Sequence, residues 1–139
     1  MTVRELRMVV SSDVGELARV RAFVDRAATM LDTPVARPDL AVATSELVAN
    51  AMALDAGDVV VRVLPGRWHG VRLEVVDCGP GIPEVVDQQA WDPDGHRGMQ
   101  IIDQIAADWG VERRGGEKVV WCELPANARS SGGRALAGR

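Results

Sequence analysis

Three short groups of residues in this 139-residue chain have the types and spacings needed to handle a phosphate ester. Glu46 and Asn50 stand four apart in SELVANAM, a spacing that sets two side chains on one flank of a helix. A carboxylate and an amide carbonyl side by side are hard oxygen ligands of the kind that hold Mg²⁺ beside phosphates. The carboxylate could equally take a proton from an attacking hydroxyl. Asp77-Cys78-Gly79-Pro80-Gly81 follows an apolar stretch, and its two glycines permit a close backbone approach. Asp77 could accept a hydrogen bond from an exocyclic amine, which selects adenine over guanine at that contact. Gly95-His96-Arg97-Gly98 comes just before a run with helical spacing, so free backbone N–H groups and a positive helix end would face whatever lies in front. Arg97 could add a charge-assisted contact to an anion there. Taken singly, each group also has a plain reading: a solvated helix flank, an ordinary turn, a solvated arginine.

The elements that must position these residues follow from periodicity. Leu6, Met8 and Val10 alternate with Glu5 and Arg7, the period-two pattern of a half-buried first strand. Val14, Leu17, Val20, Val24, Ala28 and Leu31 have helical spacing over 14–31, with Asp13 as N-cap and Glu16 in capping-box register. Pro38 suits the first turn of a second helix whose apolar face runs Leu40, Ala43, Leu47, Ala51, Leu54, with Gly57 as its C-terminal cap. Residues 59–64 and 71–76 are β-branched runs joined by Pro65-Gly66-Arg67-Trp68-His69-Gly70, which predicts a hairpin. From 77 to 97 the chain is rich in proline and glycine and has no sustained period, so it reads as a long loop with one helical turn around 84–88. Met99, Ile102, Ile105 and Ala106 restore helical spacing, and residues 109–113 and 118–124 are strands around the turn Arg114-Gly115-Gly116-Glu117. The fold class is α+β: a two-layer α/β sandwich, its sheet mixed and mostly antiparallel, with helices on one face.

Composition narrows the function. The chain is long enough for one core and short for two, so residues 1–125 form one domain and 126–139, small, polar and basic, a disordered tail. A formal charge of −4 leaves no basic stripe for phosphate neutralisation, which argues against a direct nucleic-acid partner. No signal peptide opens the chain, and no apolar run approaches the roughly 18 residues of a membrane span; a cytoplasmic protein without membrane contact is expected. Cys78 and Cys122 lie far apart and read as buried small hydrophobes. His69 and His96 have no second ligand at metal spacing, and the four tryptophans, one per segment, read as packing residues.

The order and separation of the three groups are more specific than any one of them. They resemble the N, G1 and G2 boxes of the GHKL ATPases and kinases, which include gyrase, the heat-shock chaperone, histidine kinases and mismatch-repair proteins. SELVANAM, VVDCGPGIP and GHRGMQIIDQIAADWGVERRGGEKVVWCEL together are similar to the stand-alone anti-sigma-factor serine-protein kinases, over roughly residues 5–125. The resemblance implies a Bergerat fold that binds ATP·Mg²⁺ between the helical layer and the long loop. It implies Asn50 as the Mg²⁺ ligand, Glu46 as the general base and Asp77 as the adenine-reading carboxylate. Gly79 and Gly81 would be lid hinges, and Arg97 and Gly98 would approach the phosphates. The implied partners are a sigma factor and its antagonist protein, whose Ser or Thr hydroxyl would be phosphorylated, and a homodimer is possible. Two positions depart from the family pattern. Ala53-Leu54 stands where relatives often carry Arg-His, and Val119 stands where they often carry a threonine near the adenine. These departures leave a second reading open, a partner-switching module that holds nucleotide, or carries a degenerate site, and acts only by association. A detached sensor-kinase domain is disfavoured by the short loop between Gly81 and Gly95 and by the lack of a phospho-acceptor helix.

Overall fold

The structure, a computed structural model, describes residues 4–55, 57–77 and 93–126, with the backbone alone described over 93–98. Strand β1 (Leu6–Val10) is followed by helices α1 (Leu17–Met30) and α2 (Arg37–Met52), the hairpin β2 (Val59–Pro65) and β3 (Val71–Asp77), helix α3 (Pro93–Ile105), and the hairpin β4 (Asp108–Arg114) and β5 (Glu117–Leu124). The strands form one sheet in the order β1-β2-β3-β5-β4, and every neighbouring pair is antiparallel. The expected two-layer α+β arrangement is present, and the sheet, expected to be mixed and mostly antiparallel, is antiparallel at every described pair.

Alternation along the strands assigns the faces. Val59, Val61 and Val63 of β2, Val71, Leu73 and Val75 of β3, and Val120, Cys122 and Leu124 of β5 join one core cluster with Val20, Val24, Leu40, Leu47 and Val48 of the helices. Each such side chain contributes about 1.5–3 kcal/mol when fully removed from water, so this face holds the two layers together. Cys122 lies within it, and burial pushes its thiol up to about 12, which keeps it protonated and unreactive. Cys78 lies outside the described residues.

Helix ends depart from the sequence expectation in instructive ways. Asp13 does cap, accepting from the Gly15 N–H at 2.9 Å, but it opens a 3₁₀ turn over Val14–Glu16 before α1 begins. Glu16 does not close a capping box; its carboxylate takes Arg19 Nε at 2.8 Å. Val14 consequently lies in the turn, 64% exposed, instead of in the core. At the other end Asp32, at φ 58, lets the Thr33 N–H reach Ala28 O and its own N–H reach Thr29 O, the paired bonds of a Schellman stop. Helix α2 ends at Met52, earlier than Gly57, and the left-handed residue that turns the chain is Asp55, at φ 49. Leu54 is therefore beyond the helix and 44% exposed, while Thr44 and Val48, outside the expected apolar stripe, are fully buried. A helix sandwiched between a sheet and two other helices buries more than one stripe.

Ala126, the last described residue, forms a bridge to Val35 and donates its N–H to Trp68 O at 3.3 Å, so contacts with the domain continue past Pro125. The rest of the expected tail, 127–139, and the helical turn expected around 84–88 lie outside the described residues. Among the tryptophans, Trp109 packs on the core and donates Nε1–H to Asp103 at 2.8 Å, Trp68 is half exposed, and Trp91 lies outside the described residues.

Candidate nucleotide site

Helix α2 delivers the first two residues. Its buried face, Leu40, Ala43, Leu47 and Ala51, is pinned on the sheet, which leaves Glu46 and Asn50 half-buried on an adjoining flank. The Asn50 amide donates to Met99 Sδ on α3 at 3.9 Å. That weak bond places Asn50 at the seam between α2 and α3 and turns the amide nitrogen towards sulfur, leaving the carbonyl end for a harder partner. Glu46 makes no hydrogen bond or ion pair among the described residues, so its carboxylate is not consumed by a structural contact.

Strand β3 delivers Asp77. The residue shares the parity of Val71, Leu73 and Val75 and so lies on the helix-facing side, 3% exposed, at the last position of the strand. Its register partner on β2 is Val59, the first residue after the turn from α2. The C-terminal end of α2, which carries Asn50, and Asp77 therefore lie at the same end of the sheet. Gly79 and Gly81, expected as lid hinges, lie outside the described residues.

The third group sits differently from the sequence expectation. Helix α3 begins at Pro93, so Gly95-His96-Arg97-Gly98 occupies its first two turns instead of preceding it. Proline suits the first helical position because its φ is preset and its missing N–H is not needed there. At this helix end the Asp94 and Gly95 N–H groups have no acceptor within the helix, while the Arg97 and Gly98 N–H groups lie within it.

The last strand supplies a residue that the sequence reading passed over. Lys118 is the register partner of Asp77 and shares the helix-facing parity of Val120, Cys122 and Leu124. Burial lowers its pKa, the Asp77 carboxylate opposite raises it in part, and Arg113 lowers it further, leaving it below the usual lysine value. Val119, expected beside the adenine, pairs with Val76 and Glu112 and lies on the opposite face of the sheet, 0% exposed. Strand alternation alone would have shown Lys118 and Val119 on opposite faces; only the register shows that Lys118 faces Asp77.

Residues 10–124 match the family model of the histidine kinase-like ATPase domain. The chain belongs to that family. The fold is shared with two solved structures from Erythrobacter litoralis. One is the histidine kinase domain of the EL346 blue-light activated histidine kinase, 19% identical with a TM-score of 0.53, over 82% of this chain and 61% of that one. The other is the EL346 blue-light activated histidine kinase, 21% identical with a TM-score of 0.57, over 83% of this chain and 42% of that one. The chain thus spans less than two thirds of either. No curated protein matches it at a significant level. Histidine kinase-like ATPase domains bind ATP. No helix among the described residues is long and apolar enough to cross a membrane.

Among the described residues no group of three or more His, Cys, Asp or Glu could form a closed metal cage. Mg²⁺ does not need one: it keeps several waters and takes one or two protein oxygens beside substrate phosphates. The half-buried oxygens of Asn50 and Glu46, one helical turn apart, fit that requirement.

Proposed function

We propose that this domain is an ATP-dependent serine/threonine-protein kinase of a partner-switching system, an anti-sigma factor that sequesters a sigma factor in the cytoplasm and phosphorylates its antagonist. The observation that carries the reading is the placement on α2, one helical turn apart, of a carboxylate without a hydrogen bond or ion pair among the described residues, Glu46, and an amide carbonyl, Asn50. In this reading Asp77 accepts from the adenine amine and Asn50 holds Mg²⁺, which supplies charge neutralisation at the phosphates. Glu46 receives the proton of the attacking Ser or Thr hydroxyl. The start of α3, with Arg97 and Gly98 behind it, steadies the phosphates, and Gly79 and Gly81 let the intervening loop fold over them. Positioning and electrostatics carry most of the rate in such transfers.

Ala53 and Leu54 favour a second reading. Both are exposed just past the end of α2, where relatives often place a cation and an imidazole. A domain lacking those groups could hold nucleotide and act by association alone.

Labelled ATP with Mg²⁺ and an antagonist from the neighbouring genes separates the two. The kinase reading expects phosphate transfer that falls by at least about 100-fold in Glu46→Ala, the usual scale of a lost general base. Binding without transfer to any antagonist supports the second reading, and no binding at all sinks the kinase and leaves only a degenerate module.

A further inference from the structure

Resting on the reading of the Asp77 pocket as the base site, we propose that Lys118 is a second base-reading residue, whose ammonium donates to the purine N1 nitrogen while Asp77 accepts from the exocyclic amine. Asp77 and Lys118 are directly opposed across β3 and β5, on the helix-facing side. Opposed residues of an antiparallel pair have Cβ atoms about 5 Å apart, close enough for both side chains to meet one edge of a planar ligand.

Their chemistries are complementary to adenine. An ionised carboxylate only accepts hydrogen bonds and an ammonium only donates them. The Watson–Crick edge of adenine presents an amine donor beside a ring-nitrogen acceptor, so one acceptor and one donor side by side satisfy both positions. Lys118 is half-buried and shares the sheet face of the core residues Val120, Cys122 and Leu124. A surface lysine would be diluted by water at this position; a half-buried one loses less of its directional preference. The competing possibility is that Lys118 merely balances the Asp77 charge, in which case it would strengthen binding of any base equally.

The test uses calorimetric titration of the full chain with ADP and with 1-deaza-ADP, in which a C–H replaces N1. Wild type is expected to bind ADP about tenfold or more tightly than 1-deaza-ADP, the scale of one charge-assisted hydrogen bond. Lys118→Met should bind both equally, at the weaker affinity, while Lys118→Arg, which keeps a donor, should retain part of the preference. Urea unfolding of each variant verifies that it is folded. If Lys118→Met still prefers ADP, or if wild type shows no preference, the inference is overturned and the nucleotide reading stands. If wild type binds neither ligand, the nucleotide reading falls and this inference with it.

Discussion

The two faces of the sheet bury their residues by opposite means. The side facing the helices is closed by apolar packing: Val61, Val63, Leu73 and Cys122 are fully buried against α1 and α2. The other side carries Arg62, Arg72, Glu74, Glu123, Glu112, Arg114 and Asp108, yet Glu74 and Glu123 are each only 4% exposed. Glu74 on β3 accepts from Arg72 at 2.8 Å and from both terminal nitrogens of Arg114 on β4, and Arg62 on β2 stands at 3.7 Å. Glu123 on β5 accepts from the Arg67 backbone at 2.8 Å, its guanidinium at 3.2 Å, and Arg72 at 3.1 Å. The Arg72 guanidinium also lies 4.1 Å over the Trp121 ring, whose other side is approached so closely by Gly110 that a Cβ there would come within 2.9 Å of it. The apolar face tolerates small slips of packing, whereas the charged face ties four strands at specific positions. What it teaches concerns the site: a one-residue slip of β5 on β3 would turn Lys118 away from Asp77, and the ion pairs that forbid it lie on the far side of the sheet.

The comparison can be broken by mutation. The largest effect is expected from Leu73→Ala, which empties space at the centre of the apolar face and should cost about 2–5 kcal/mol in urea unfolding. Glu74→Ala should cost less, about 1–3 kcal/mol, because Arg72 retains Glu123 and Arg114 retains Glu112. If Glu74→Ala proves the more damaging, the charged face is the main source of stability and the comparison is reversed.

Acid sharpens it further. Burial raises the Glu74 carboxyl, but hydrogen bonds from Arg72 and Arg114 outweigh it; at Glu123 burial is outweighed by the Arg67 backbone N–H, then Arg72 and the Arg67 side chain. Both groups titrate below their ordinary 4.5. The folded protein then holds fewer protons at these sites than the unfolded chain. Their contribution to stability is full above about pH 4.5 and is lost as pH falls through the depressed folded values. Unfolding midpoints measured from pH 6 to pH 3 should fall in wild type and fall less steeply in Glu74→Gln/Glu123→Gln; equal slopes would remove these carboxylates from the acid response.

Most of the element plan was legible in the sequence, because period-two and helical spacing are local properties. The β3 strand ending at Asp77 and the helix bearing Glu46 and Asn50 are where the pattern indicates, and the motif order indicates the family. Local signals failed where two solutions compete. Leu54 continues the apolar stripe of α2 in sequence but not in space, because Asp55 takes the left-handed turn first. Pro93 starts α3 earlier than the glycines of the third box suggest. Local sequence alone is enough to pick out the candidates for phosphate and base chemistry and, for Glu46, Asn50 and Asp77, the element each rides on. Only the tertiary structure decided who faces whom: that Lys118 stands opposite Asp77, that Val119 lies on the other side, and that Asn50 meets Met99. Strand register is a cooperative outcome of contacts on both faces of the sheet, and no single segment encodes it.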